Sequence, residues 1–331
     1  MRRREFLGVA ATGMGFATGM ITRRTTAAEK DSPPRYQPKS NAPRLPRREY
    51  GKTGVQISIV GFPGFALRDT TDETFTGRLV AESIERGVNY FDVAADYGNA
   101  EAVLGPVLAP YRKEIFLSSK TAKRTAEGAA ADLKRTLERL KTDHLDLYNL
   151  HHIQHLDKDV DAAFGKGGAM EVLTAAKKEG RVRFLGFSAH SIQAALTAMD
   201  RYDFDSAIFP INFACLMKGR WGQPIIDRCR EKGVAMFALK AMARQQWPKD
   251  DPRRKNHPIC WYQPLTDVDE AGLGLRYSLS QPIVAILPPS SAVLHRLAMM
   301  LAMDFQPITP EEEQALRDLA ADLNPVFRQE S

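Results

Sequence analysis

The stretch VNYFDVAADYGNAE, residues 88–101, sets polar chemistry inside an apolar run. Val88, Tyr90, Phe91 and Val93 read as a buried strand, yet Asp92 lies within it and Tyr97 follows five residues later. A carboxylate is costly to bury without a partner. A strand closing on one therefore predicts a site assembled where strands end.

Working outward, short β-like runs alternate with amphipathic helical stretches from residue 55 onward. The strand candidates are ISIVGFP, VNYFDVA, EIFLSSK, HLDLYNLH, VRFLGFS, SAIFPIN, VAMFALK and IVAILPP. Between them lie segments such as DETFTGRLVAESIERG, EGAAADLKRTLERL, GAMEVLTAAKKEG and DVDEAGLGLRYSLS. Eight strands alternating with helices predict an α/β fold, a closed parallel (β/α)8 TIM barrel in a single domain. A doubly wound open sheet is the competing fold, but the first strand–helix turn lacks its Gly-rich phosphate loop. A long polar segment over 244–265 follows the seventh strand. Loops of that length are usually functional, and its Trp247, Trp261 and Tyr262 are expected either to cover the substrate or to pin the loop.

In such a barrel the site forms at the C-terminal ends of the strands. Those ends carry Asp92, Lys120, His151, Ser188 (with His190 beyond it), Asn212 and Lys240. A free phenol, with a pKa near 10, is a weak acid at neutral pH. An ammonium beside it lowers that value, and a carboxylate holds the ammonium in place. A histidine opposite can hydrogen-bond a carbonyl oxygen. Asp92, Tyr97, Lys120 and His151 together thus suit protonation of a developing alkoxide, as carbonyl reduction requires.

REYGKTGVQISIVGFPG, NYFDVAADYGNAEAVLG, FLSSK, DLYNLHHI, GRVRFLGFSAHS and LGLRYSLSQPIVAILPPSS bring a resemblance into view. From about residue 47 to 323 the chain resembles an aldo-keto reductase. The resemblance implies that Asp92, Tyr97, Lys120 and His151 are the catalytic tetrad, with Tyr97 as proton donor to a carbonyl or alcohol substrate. It also implies a nicotinamide cofactor, NADP(H) favoured and NAD(H) the alternative, held by Ser188, Asn212, Lys240, Ser290, Ser291 and Arg296. The chain departs from the family pattern at Ala189, Ile208, Leu239 and Ala298-Met299, where an Asn, a Gln, the nicotinamide-stacking Tyr and a Glu-Asn pair are usual.

The N-terminus reads separately. Residues 1–28 have a basic start, a mildly apolar middle and a small-residue end, the layout of an export signal. Arg3-Arg4 followed by Glu5, Phe6 and Leu7 resembles the twin-arginine pattern. The expected organisation is a signal over 1–28, a Pro-rich linker over 29–46 and a barrel over 47–331, giving an exported, periplasmic protein that engages the twin-arginine machinery. Residues 1–28 hold five Arg against one Glu, and residues 29–50 six basic against three acidic side chains. The formal +6 therefore leaves the body near −1, and no nucleic-acid partner is expected. No apolar run predicts a membrane span in the mature protein. Cys215, Cys229 and Cys260 suggest neither a disulfide framework nor zinc. His151 and His155 in HHIQH are spaced for a metal, but no acid or thiol completes the set and strand neighbours point apart, so no metal is expected. The competing functional reading is an exported barrel serving as a binding or scaffold protein that has lost its nucleotide.

Overall fold

The computed structural model describes residues 44–329. The expected signal over 1–28 and the linker as far as residue 43 lie outside the described residues. At the end of that linker Leu45 is buried, and its N–H donates to Arg86 O at 2.9 Å.

The strands are β1 (Arg47–Glu49), β2 (Gln56–Ser58), β3 (Phe62–Pro63), β4 (Tyr90–Asp92), β5 (Phe116–Thr121), β6 (Leu145–Ile153), β7 (Val182–Ala189), β8 (Ser206–Pro210), β9 (Ala235–Leu239), β10 (Ala243–Gln246), β11 (Tyr262–Pro264) and β12 (Ala285–Leu287). Eight of them run parallel in the order β3-β4-β5-β6-β7-β8-β9-β12. A Val60–Ile286 bridge joins the two edges, with Gly61 N donating to Ile286 O and Ile286 N to Ile59 O, both at 2.9 Å. The expected (β/α)8 barrel is therefore the fold.

Period-2 alternation along the strands sorts side chains into two cores. Phe91 and Val93, Leu117, Tyr148 and Leu150, Leu185 and Phe187, Phe209 and Ala238 join the layer packed against the helices. Their alternates Tyr90, Phe116, Leu147, Ile208, Phe237 and Leu287 fill the barrel interior. The segment ISIVGFP, expected as one strand, is divided. Its first two residues, Ile57 and Ser58, belong to β2, which pairs antiparallel with β1 through a turn in which Gly51 and Gly54 take φ of 57° and 76°. That hairpin brings buried Tyr50 against Phe116 and Phe184, ring centroids 5.2 and 5.0 Å away. One end of the interior is thus filled by aromatic rings, and polar strand ends make up the other.

The helices start where local chemistry places them. Asp72, Thr125 and Ser191 each accept a first-turn N–H, and Thr309 with Glu312 forms a capping box. The segment expected as a long loop forms the hairpin β10–β11. Trp247 Nε1 donates to Cys260 O at 2.8 Å and ties the hairpin's connection shut. The C-terminal tail joins it: Gln246 N donates to Asn324 O at 2.9 Å, and Val326 packs with Cys215, Cys260 and Tyr262. No helix among the described residues is long and apolar enough to cross a membrane.

Candidate active site

Asp92 ends β4 and pairs in register with Ser118 of β5, so Lys120 stands one inward position further along. Lys120 Nζ forms an ion pair with Asp92 Oδ2 and donates to Val93 O at 2.9 Å. Both side chains are almost wholly buried. The other carboxylate oxygen accepts from Tyr90 Oη and Ser118 Oγ, each at 3.1 Å. Asn149 Nδ2 in turn donates to Ser118 Oγ at 3.1 Å. Burial is the largest single influence on the Lys120 ammonium and works against it, but the charge and hydrogen bond of Asp92, together with Tyr97 and Asp96, outweigh it and raise its pKa. Gly64 lets the neighbouring loop come close, because a Cβ there would lie 2.5 Å from Asp92 O.

Tyr97 lies in the turn after β4, half-buried, against Phe65 (centroids 4.8 Å apart) and His151 (5.5 Å). Lys120 Nζ is 5.0 Å from the centre of its ring. The sequence predicts that this ammonium lowers the phenol's pKa below its usual value. The structure gives the opposite net direction: burial pushes it up to about 12, with the Lys120 charge the largest influence opposing that rise. His151 Nδ1 is 3.1 Å from Asp96 Oδ1 without forming an aligned hydrogen bond. Burial lowers the His151 pKa, partly offset by Asp96. The imidazole is therefore neutral at pH 7.

The far side of the site is richer in histidine than the strand pattern suggests. His151 and His152 were expected to point apart, yet both face the same cavity. His152 adopts a φ of 57°, and the β6–β7 register shifts between Leu150 and Ile153, which breaks the alternation. Ser188 Oγ accepts the His152 N–H at 2.6 Å. The rings of His152 and His190 are 4.9 Å apart, and His190 Nε2 is 3.1 Å from Lys240 Nζ. A cavity of about 250 Å³ is lined by Asp92, Tyr97, Lys120 and His151 together with Ser188, Lys240 and Ser290. Trp261 and Tyr262 of the hairpin line it as well, whereas Trp247 stacks on His257. The hairpin's aromatics thus divide between the two expected roles.

Three expected cofactor residues do not reach the cavity. Asn212 is buried outside its lining, its Nδ2 donating to Lys240 O at 3.0 Å and its Oδ1 accepting Cys215 N–H at 2.9 Å. Arg296 Nε is bound to Glu82 Oε2 at 2.7 Å. Ser291 precedes the helix Ala292–Ala302, and its hydroxyl caps none of that helix's N–H groups. Asp96, Phe65 and His152 were missed by sequence reasoning. Asp96, adjacent to Tyr97, and His152, in DLYNLHHI, stand in motifs that could have drawn attention to them; Phe65 does not. Among the described residues, no group of three or more His, Cys, Asp or Glu is placed to hold a metal.

The family description "Aldo/keto reductase family" matches residues 61–320. The chain is 23% identical over 301 residues to the uncharacterized oxidoreductase YqkF of Bacillus subtilis, covering 82% of this chain and 95% of that protein. It resembles the solved holo form of aldo-keto reductase AKR11C1 from Bacillus halodurans, with a TM-score of 0.67, 24% identity and coverage of 86% and 100% of the two chains. An aldo/keto reductase from Klebsiella pneumoniae in complex with NADP and acetate gives a TM-score of 0.63 at 17% identity, covering 86% and 98%. The chain belongs to the aldo/keto reductase family of oxidoreductases.

Proposed function

We propose that the protein transfers a hydride between a nicotinamide nucleotide and a carbonyl or alcohol substrate, with Tyr97 as the proton donor in reduction. One observation carries this reading: Asp92, Lys120, Tyr97 and His151 line a single cavity, with ammonium and imidazole both against the phenol ring. A phenol with its pKa pushed up to about 12 stays protonated throughout the neutral range. It is a weaker acid than a free phenol but a stronger one than the alcohol product, so it can still donate to a developing alkoxide. Lys120 then stabilises the phenolate left behind, and Asp92 keeps that ammonium charged and fixed. Neutral His151 can donate to a carbonyl oxygen in the tautomer that carries its proton on Nε2 and leaves Nδ1 bare beside Asp96.

The cavity residues fit a nicotinamide nucleotide in part. Ser188, Leu239, Tyr262 and Ser290 line the same space as Tyr97. The uncapped first turn of Ala292–Ala302 leaves N–H groups free for a phosphate. When bound, the nicotinamide ring would supply or accept the hydride. NADP(H) remains our preferred cofactor. Arg296 would hold the 2′-phosphate, but its contact with Glu82 has to open first.

The competing reading, a binding or scaffold barrel, draws support from the engagement of Asn212 and Arg296 elsewhere. Titrating the purified protein with NADPH and NADH, then assaying NADPH oxidation against a panel of aldehydes and ketones, separates the two. Nucleotide binding with turnover supports the reductase, and no binding at millimolar concentration overturns it. The chain's basic, twin-arginine-like start also leads us to propose export to the periplasm by that route. Fractionation of cells expressing the full chain and an Arg3→Lys/Arg4→Lys variant tests this; equal periplasmic yields would contradict it.

A further inference from the structure

Lys240 stands in contrast to Lys120. Both are buried ammonium groups lining the cavity, but Lys120 has Asp92, whereas no carboxylate among the described residues lies within ion-pair distance of Lys240. Its neighbours are aromatic: Nζ is 5.4 Å from the Trp261 ring centre and 5.3 Å from that of Phe327. Cation–π contacts offset only part of the cost of removing an ammonium from water. The backbone there is also held in a costly conformation, with φ of 57° at a non-glycine residue. Hydrogen bonds to Lys240 O from Asn212 Nδ2 (3.0 Å) and Ala243 N (2.9 Å) fix it.

Among the described residues, the one polar partner of Nζ is His190 Nε2, 3.1 Å away. Burial, followed by the charge of Lys240, holds His190 far below its ordinary range, to about 2, so the imidazole is neutral. The ammonium must donate in this contact, which places the imidazole proton on Nδ1. Two ammonium N–H groups are left. The rings of His190, His152, His151 and Tyr97 follow one another at centroid distances of 4.9, 5.7 and 5.5 Å. One wall of the cavity therefore runs from the cation to the phenol.

We propose that Lys240, backed by His190 and Trp261, is a subsite for a carboxylate carried by the substrate, so that the preferred substrates are carbonyl compounds bearing an acid group. This rests on the reductase reading above and moves Lys240 from the cofactor to the substrate. Burial lowers the Lys240 pKa to about 8, which keeps it mainly charged at pH 7.

The test compares 4-carboxybenzaldehyde with its neutral analogue 4-methylbenzaldehyde on the full chain. The wild type should show the higher kcat/KM with the acid. Lys240→Met should reduce the acid-to-neutral ratio about tenfold to a hundredfold, the range expected for one lost charge-assisted contact. Lys240→Arg should keep part of the preference and controls for folding. Equal kcat/KM values in the wild type, or a Lys240→Met loss shared equally by both aldehydes, would overturn the proposal; the shared loss would assign Lys240 to a nucleotide phosphate. Benzoate binding, read by quenching of Trp261 fluorescence against a Trp261→Phe background, does not depend on turnover. Benzoate bound through Lys240 with neither aldehyde reduced would sink the reductase reading and leave the subsite standing. Reduction of both aldehydes without benzoate binding would do the reverse.

Discussion

Lys120 and Asp92 reach each other from adjacent parallel strands and form an ion pair buried at the base of the cavity. A buried pair contributes little net stability, but removing one member leaves the other charge uncompensated. Asp92→Asn keeps an acceptor for Tyr90 and Ser118, removes the charge and replaces the oxygen that accepts from Lys120 with an N–H donor. It should lower unfolding free energy by about 3–5 kcal/mol, read as a fall in the urea midpoint. An unchanged midpoint would contradict the pairing.

The direction of the Tyr97 shift predicts a pH profile. Reduction needs the phenol protonated, and burial holds its pKa up to about 12. With a neutral aldehyde, kcat should therefore show no downward inflection between pH 8 and 10, where an ordinary tyrosine would begin to ionise. An inflection near 10 assigned to Tyr97 would show that burial does not govern this group.

His295 gives an independent pH effect outside the site. It is fully buried against Phe62, with Nε2 3.0 Å from Ser83 Oγ, and burial lowers its pKa from 6.5 to about 3. The unfolded chain therefore takes up this proton first. The contribution is fully present above pH 6.5 and is lost as the pH falls towards 3, by about 1.4 kcal/mol per pH unit. Urea melts at pH 6, 5 and 4 should show a shallower decline for His295→Gln than for the wild type. Parallel declines would rule out this group as a source of acid sensitivity.

Glu82 holds Arg296 through Oε2 at 2.7 Å and Arg86 through Oε1 at 3.1 Å. If Arg296 serves the 2′-phosphate, Glu82→Gln should free it and strengthen NADPH binding relative to NADH by about tenfold, near the value of one charge-assisted contact. Calorimetric titration of both nucleotides measures the ratio. An unaltered ratio would show that Arg296 stays with the helix surface.

Much of this was legible in the sequence because it follows from local rules. Alternation of strands and helices gave the barrel, and residues ending the strands gave Asp92, Lys120, His151, Ser188 and Lys240, which the structure brings together. What escaped depended on contacts remote in the chain. Arg296 is drawn to Glu82, 214 residues away, and Asn212 Nδ2 is drawn to Lys240 O, 28 residues away. Neither partnership leaves a mark in the spacing of residues. His152 faces the cavity only because its φ is positive, and no periodicity predicts that. The sequence shows a cation near Tyr97 but not that the burial of the phenol outweighs it.

The most direct test of the central claim is a single-turnover measurement of NADPH oxidation with a neutral aromatic aldehyde, comparing wild type with Tyr97→Phe and titrating nucleotide on both. The account predicts that Tyr97→Phe slows reduction by about 10²–10⁴-fold, the usual contribution of a positioned general acid, while nucleotide affinity changes little. Retention of most of the wild-type rate would contradict it and require another donor within the cavity.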